Sequence, residues 1–237
     1  IINGDFETGD FSGWTISGVM SKSITAAVTI GGIGAWSALL GSPDYGDSIT
    51  PTADLHVPAN SHAAISQVIA VPSLRDMPAP VLRLWYHMFT YDVVLGCWKE
   101  NQGQLFDSFD VYIRDPASGA TLAVPLRDGN YDCAAYHAYY YAHGETPPLT
   151  EITALRLIDL SPYAGRTVII ELRNSNRRDD SYNTWTFVDD VHVFNQPTRF
   201  YRINLPIIFS GHGMTGPGPG SKAPLFTPPA GARPPRR

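Results

Sequence analysis

Two stretches of the chain carry aromatic and charged side chains at the spacing of a β-strand. Residues 81–90 and 108–114 alternate apolar side chains with polar or aromatic ones, which predicts strands with one buried and one outward face. The outward side chains are Arg83, Trp85, His87, Asp110 and Tyr112. Aromatic rings pack on the C–H faces of sugars while a few polar groups fix the hydroxyls. If both strands share a sheet, we expect a carbohydrate-binding face; the alternative is that loops cover its aromatic residues.

A carboxylate interrupts the apolar side of a second segment, residues 184–194. Trp185, Phe187, Val191 and Val193 alternate with polar residues there, which predicts a strand with one buried face. Asp189 falls on that apolar side. A buried carboxylate is costly unless it is paired, hydrogen-bonded or bound to a cation. The strand therefore predicts a special environment for Asp189.

The spacing of the remaining reactive side chains does not indicate catalysis. The seven histidines lie at positions 56, 62, 87, 137, 143, 192 and 212, without HExxH or facial-triad spacing. The sequence contains no GxSxG, P-loop or dinucleotide-binding signature. We therefore expect a protein that is not an enzyme.

The elements that would position these residues are short strands. The predicted strands are residues 24–30, 35–40, 62–70, 81–90, 108–114, 122–126, 155–159, 167–174 and 184–194. Gly, Pro, Asn and Asp punctuate them, and the sequence shows no amphipathic helical pattern. This organisation predicts an all-β, antiparallel sandwich over residues 1–195, followed by a separate segment, residues 196–237.

Charge is divided unevenly between these two parts. The overall formal charge is −5, yet residues 196–237 contain six basic and no acidic residues. Residues 1–195 therefore carry 11 basic and 22 acidic side chains, a net charge of −11. Nucleic acid is an unlikely partner because such a body repels phosphate. No apolar run is long enough to span a membrane.

Cysteine content and the first residue point to an oxidising compartment. The chain starts at Ile1 without an initiator methionine, which we interpret as an exported, extracellular or cell-surface product; a piece cut from a longer chain is the alternative. Cys97 and Cys133 lie in loop-like, tyrosine-rich stretches without zinc-site spacing. We expect them to form a disulfide that stabilises the fold by about 3–4 kcal/mol.

The two ends of the predicted sandwich resemble a known group of domains. NGDFE at residues 3–7, followed by Gly13-Trp14, and WTFVDDV at residues 185–191 are similar to motifs of the jelly-roll carbohydrate-binding modules of the galactose-binding-like superfamily. Residues 160–172 also resemble the penultimate strand of that group. The resemblance covers about residues 1–195 and implies a jelly-roll sandwich with a possible sugar ligand.

The same resemblance implies a structural calcium ion. Carried over to this chain, the motif places Glu7 near Asp189, with Asp47 as a weaker third ligand. Calcium binds six to eight oxygens, and glycine-rich turns supply backbone carbonyls among them. The alternative is that Glu7 and Asp189 accept hydrogen bonds from backbone N–H groups in turns.

The C-terminal segment has the pattern of one more strand followed by a tail. One face of that strand would be formed by Tyr201, Ile203, Leu205, Ile207 and Phe209. Pro206 cannot donate to a ladder, which suits an edge or an added strand. The following residues are rich in Pro and Gly and basic.

Two functional hypotheses follow. In the first, the chain is a non-catalytic subunit of an extracellular assembly or filament, and its C-terminal strand docks on a neighbouring copy by donor-strand addition. In the second, it is a carbohydrate-binding module that holds polysaccharide on the aromatic sheet face, and the tail is a spacer.

Overall fold

The computed structural model describes residues 1–26, 34–43, 60–91, 105, 107–129, 149–177 and 183–196. Its strands are β1 (Thr15–Ser17), β2 (Lys22–Thr25), β3 (Ser37–Leu40), β4 (Ser61–Ala70), β5 (Pro80–Thr90), β6 (Asp107–Arg114), β7 (Thr121–Asp128), β8 (Thr150–Asp159), β9 (Thr167–Asn176) and β10 (Thr184–Asn195). A short 3₁₀ helix, Ser161–Tyr163, joins β8 to β9.

These strands form two five-stranded antiparallel sheets. Sheet A has the order β1-β4-β9-β6-β7, and sheet B has the order β2-β3-β10-β5-β8. Strands that neighbour each other in a sheet are mostly far apart in sequence, as β4 and β9 are. The predicted jelly-roll β-sandwich is confirmed, and the last strand lies at the centre of sheet B.

The core lies between the inner faces of the sheets. Ile65, Leu172 and Val111 are adjacent across β4, β9 and β6, and all three are fully buried. Tyr86 and Phe109 join the two sheets, with ring centroids 4.9 Å apart. At the N-terminal end, Phe6 stacks on Trp14 at 5.7 Å. Full burial of each such side chain contributes about 1.5–3 kcal/mol.

A β-bulge in β10 corrects the predicted face of this strand. Asp189 pairs with Trp85 and His192 pairs with Arg83, so two residues of β10 oppose one of β5. Asp190, inside the bulge, has a φ of 53°. One extra residue reverses the side that the following residues face.

The bulge places the apolar residues of β10 in two different clusters. Val188 and Val191 belong to the central core, whereas Trp185 and Phe187 pack in a second cluster on the outer face of sheet B. The prediction that Trp185, Phe187, Val191 and Val193 share one buried face is therefore wrong.

Most predicted strand positions agree with the structure, and the differences have local causes. β8 begins at Thr150 rather than Leu155, because it pairs with β5 along its whole length. β1 carries no apolar alternation and is exposed at all three residues, so its sequence gives no strand signal. Residues 27–30 of the first predicted strand lie outside the described part.

The chain divides into two compact units, Ile1–Thr198 and Arg199–Arg237. Both sheets lie in the first unit. The predicted C-terminal strand and tail, with Tyr201, Ile203, Leu205, Ile207 and Phe209, lie outside the described residues. Within the described ranges, no helix is long and apolar enough to cross a membrane.

Candidate functional site

The two strands of the predicted sugar-binding face belong to different sheets. β5, with Arg83, Trp85 and His87, is in sheet B, whereas β6, with Asp110 and Tyr112, is in sheet A. The two sets therefore lie on opposite outer faces of the sandwich. The condition that both strands share a sheet is not met, because the chain crosses from sheet B to sheet A between β5 and β6.

The outer face of sheet B carries a cluster that we call the aromatic face. It consists of Leu39, Trp85, Phe89, Tyr91, Trp185 and Phe187. Phe89 stacks on Trp185, with centroids 5.4 Å apart and an interplanar angle of 7°. Trp185 and Phe187 are only 8% and 6% exposed. Trp185 and Phe187 therefore offer little surface to a ligand, whereas Trp85, Phe89 and Tyr91 are half-buried.

The polar residues predicted on this face are engaged in local contacts. Arg83 forms an ion pair with Asp190 at 2.6 Å. The His87 ring lies 4.1 Å from the ring of Phe89, and its Nε2 is 3.3 Å from a Glu151 carboxylate oxygen. These contacts fix the edge of the aromatic face.

On the outer face of sheet A, Asp110 is the centre of a charged network. It is completely buried, although it lies on the side of β6 away from the core. Arg127 Nε donates to its Oδ1 at 2.7 Å, and Arg177 Nη2 donates to its Oδ2 at 2.6 Å. Ser108 Oγ also donates to Oδ2, at 2.9 Å. Burial of this carboxylate is compensated by two guanidinium groups and a hydroxyl.

Glu171 on the neighbouring strand β9 has an equivalent arrangement. Arg114 binds it through both Nε and Nη2, at 2.7 and 3.2 Å. Arg173 binds it from its own strand, with Nη2 at 2.6 Å from Oε1. The guanidinium carbons of Arg114 and Arg173 lie 4.6 and 5.0 Å from the Tyr112 ring centroid. Tyr112 is therefore covered by guanidinium groups, and its hydroxyl also joins the network, 3.5 Å from Asp110 Oδ2 and 3.4 Å from the Nη2 groups of Arg127 and Arg177.

Part of this face forms an open depression with a volume of about 170 Å³, which we call the arginine cleft. Its larger lining side chains are His62, Tyr112, Arg173 and Arg177. Its smaller ones are Asn60, Ser61, Ser175 and Asn176. Every one of these side chains carries a hydrogen-bonding group. The cleft therefore offers hydrogen-bonding groups to a polar ligand.

The pKa of His62, at the rim of the cleft, reflects its burial and the charges around it. Burial lowers the pKa of His62, and the positive charge of Arg173 lowers it further, followed by smaller effects from Lys22 and Arg114. Glu171 acts in the opposite direction. Gly18 holds the adjacent turn, where a Cβ would lie 2.1 Å from the carbonyl oxygen of His62. Its φ of 84° suits glycine.

The predicted calcium ligands have two different environments. Glu7 Oε1 accepts hydrogen bonds from the backbone N–H groups of Ala35 and Trp36, at 2.7 and 2.9 Å. Asp189 is fully buried; its Oδ1 accepts from the Asp190 N–H at 2.6 Å. Asp189 Oδ2 is buried without a hydrogen-bond donor from the described residues. Glu7 therefore acts as a turn acceptor, and the orphaned Asp189 oxygen suits a cation.

Electrostatics around Asp189 agree with that interpretation. Burial raises the pKa of Asp189 to about 7, and the negative charges of Asp190, Glu7 and Asp5 contribute to the increase. Yet no three Asp, Glu, His or Cys side chains among the described residues are grouped closely enough to hold a metal ion. Glu7 and Asp189 would therefore hold calcium only together with backbone carbonyl oxygens. Asp47, Cys97 and Cys133 lie outside the described ranges.

Sequence reasoning missed most of the arginine cleft. The alternation in β9 places Glu171 and Arg173 outward, but its continuation to Ser175 and the position of Arg177 depend on the pairing of β9 with β4 and β6. His62 has the same outward parity on β4. The alternation in β4 and β9 would have identified the outer face of sheet A only if the order of the strands in that sheet had been known.

No protein-family model matches the chain, and no curated protein gives a significant match. Solved structures of similar shape include TmCBM61 in complex with β-1,4-galactotriose, at 14% identity over 83% of this chain and 97% of that chain, with a TM-score of 0.42. A non-crystalline cellulose specific module, CBM28, is 12% identical over 83% and 95%, with a TM-score of 0.45. A cyclase from Fischerella sp. TAU is 12% identical over 84% and 97%, with a TM-score of 0.38. Carbohydrate-binding modules are thus among the solved structures of similar shape.

Proposed function

We propose that this protein is a non-catalytic, extracellular carbohydrate-binding domain whose ligand occupies the arginine cleft. The observation that carries the proposal is the lining of the cleft, which presents hydroxyl, amide, imidazole and guanidinium groups to an open depression. Sugar hydroxyls are donors and acceptors at once, so they pair with such a mixed set. The resemblance of both ends of the sandwich to carbohydrate-binding modules supports the choice of ligand class.

The geometry favours rigid recognition at this cleft. Arg173 is held by Glu171, and Arg177 is held by Ser108 and Asp110. Side chains that are already fixed lose little conformational entropy when a ligand binds. The same ion pairs occupy Asp110 and Glu171, so these carboxylates are poorly suited to act as a general acid or base. This arrangement supports binding rather than hydrolysis.

The alternative face offers less free ring surface. Phe89 stacks on Trp185, and Trp185 and Phe187 are only 8% and 6% exposed. The self-assembly hypothesis depends on residues 199–237, which the described part does not include. Carbohydrate binding at the cleft is therefore the better supported function.

A glycan array with the wild-type protein and two variants tests the proposal. We expect Arg173→Ala to lose binding, because it removes a cleft donor, and Trp85→Ala, on the opposite face, to retain it. Both variants should be checked by circular dichroism and thermal melting. Loss of binding by Trp85→Ala alone would move the site to the aromatic face, and absence of binding by the folded wild type would reject the function.

A further inference from the structure

The outer face of sheet A concentrates positive charge on an otherwise acidic body. Four of the 11 basic residues within positions 1–195 lie on this face, namely Arg114, Arg127, Arg173 and Arg177. The carboxylates that pair with them are Asp110 and Glu171. Among the described residues of this face, two guanidinium charges therefore remain in excess, whereas residues 1–195 have a net charge of −11. Such a local reversal of sign attracts an anion to this face.

Two of these arginines are held by ion pairs and remain partly exposed at the cleft. Arg173 binds Glu171 through Nε and Nη2, and Arg177 binds Ser108 and Asp110 through the same two atoms. Neither Nη1 group has a hydrogen-bond partner among the described residues. The two side chains line the same cleft and retain 23% and 27% exposure. Both guanidinium groups are thus fixed by a carboxylate and partly exposed in the cleft.

We propose that the ligand of the arginine cleft is an acidic saccharide, a sugar chain whose carboxylate or sulfate groups pair with Arg173 and Arg177. This inference rests on the proposed function and specifies its substrate class. Guanidinium groups bind carboxylates and sulfates through paired hydrogen bonds that are shorter and stronger than neutral ones. The hydroxyls of the same sugar pair with Ser175 and Asn60, which also line the cleft.

Titration calorimetry with three defined polymers tests the proposal on the full chain. The polymers are polygalacturonate, the same polymer with its carboxyl groups reduced to alcohols, and a sulfated galactan. We expect at least one of the two acidic polymers to bind at least tenfold more tightly than the reduced polymer. Which acidic polymer binds more tightly identifies the anionic group. Raising the salt concentration from 50 to 500 mM should weaken binding of the acidic polymers and leave binding of the reduced polymer unchanged.

Charge-neutralising variants assign the effect to the cleft. Arg173→Gln and Arg177→Gln should each reduce affinity for the preferred acidic polymer at least tenfold. Arg75→Gln changes the net charge equally, but Arg75 lies beyond the opposite end of β4. The affinity of this variant for the acidic polymer should therefore equal that of wild type. An equal loss in all three variants would show that only overall charge matters and would overturn the proposal.

The outcomes separate this inference from the function on which it rests. Equal affinity for the acidic and the reduced polymers would overturn the acidic preference while leaving carbohydrate binding in place. Binding to none of the three polymers would overturn the acidic-saccharide proposal. If the glycan array were also negative, the proposed function would fail with it.

Discussion

Asp110 shows how a single buried carboxylate organises the cleft. It is fully buried, and it accepts hydrogen bonds from Arg127, Arg177 and Ser108. Its environment is tolerable only because both oxygens are paired with cations. The position of Arg177 in the cleft is therefore a consequence of Asp110, although Asp110 itself does not line the cleft.

We predict that Asp110→Asn destabilises the fold. Removing one partner of a buried ion pair costs about 3–5 kcal/mol, and we expect the lower end because the arginines are partly exposed. Urea unfolding measures the change. Asp115→Asn, in the exposed turn after β6, serves as the control and should leave the unfolding midpoint nearly unchanged. Equal stability of Asp110→Asn and wild type would contradict this account of the network.

His62 makes stability depend on pH with a defined sign. Burial and the charge of Arg173 lower its pKa below the ordinary value of 6.5. Near pH 6 the folded state therefore binds fewer protons at this site than the unfolded state. Its contribution to stability is fully present above pH 6.5 and is lost as the pH falls toward the lowered pKa.

Comparison of wild type with His62→Gln between pH 5 and 7.5 isolates that contribution. We expect the free energy of unfolding of wild type to decline more steeply on acidification than that of the variant. Using the difference between the two proteins removes the titration of other groups, such as Asp189. Parallel pH profiles would show that His62 titrates alike in both states.

Calcium binding by Glu7 and Asp189 remains a prediction, and the orphaned Oδ2 of Asp189 is its structural basis. At pH 8 we expect calcium to raise the melting temperature of wild type and a chelator to lower it. A ligand at 100 times its Kd stabilises the folded state by about 2.7 kcal/mol. Asp189→Asn should abolish the calcium-dependent rise in melting temperature. Magnesium should not produce this rise in the wild type. An unchanged melting temperature after chelation would favour the turn-acceptor role alone.

At the scale of the elements, the turn between β1 and β2 determines the edge of the cleft. Gly18 has a φ of 84° and lies against the backbone of His62, whose carbonyl oxygen also accepts a hydrogen bond from the Met20 N–H. This contact joins the turn to the first residues of β4. Displacement of the turn would therefore move the histidine that borders the cleft.

The two substitutions Gly18→Ala and Gly119→Ala separate crowding from backbone strain. Both glycines have positive φ, 84° and 70°, so both variants incur about 1–2 kcal/mol of backbone cost. An added Cβ at Gly119 meets no atom within 4 Å, whereas at Gly18 it meets the His62 carbonyl oxygen at 2.1 Å. We expect Gly18→Ala to lose a further 1–3 kcal/mol, about the cost of overpacking, in urea unfolding. Equal losses of unfolding free energy in the two variants would show that the turn between β1 and β2 accommodates the added Cβ without further cost.

Sequence patterns predicted individual strands well because each depends on the alternation of neighbouring residues. They did not predict which strands share a sheet, since that depends on pairings such as Ser66 with Glu171, more than 100 residues apart. For that reason Trp85 and Tyr112 were expected on one face and lie on two. The sequence pattern did not predict the bulge at Asp190 either, because one inserted residue leaves the apolar composition of β10 unchanged.

At the scale of the whole molecule, the sandwich has its own core and both sheets within Ile1–Thr198. β10 occupies the centre of sheet B, between β3 and β5, so the final described strand is already paired on both sides. The proposed acidic-saccharide site and the predicted calcium site also lie within this unit. Binding and stability should therefore be properties of the sandwich itself.

A chain that ends at Thr198 tests this expectation and also the self-assembly hypothesis. We predict that its melting temperature lies within about 3 °C of the full chain, a shift corresponding to less than about 1 kcal/mol, and that its affinity for the glycan ligand is unchanged. Electron microscopy of both proteins at equal concentration measures polymer formation. Polymers that form only with residues 199–237 would assign assembly to the C-terminal segment. A large drop in melting temperature on truncation would instead show that the sandwich needs that segment to complete its fold, because its ten strands would then be insufficient alone.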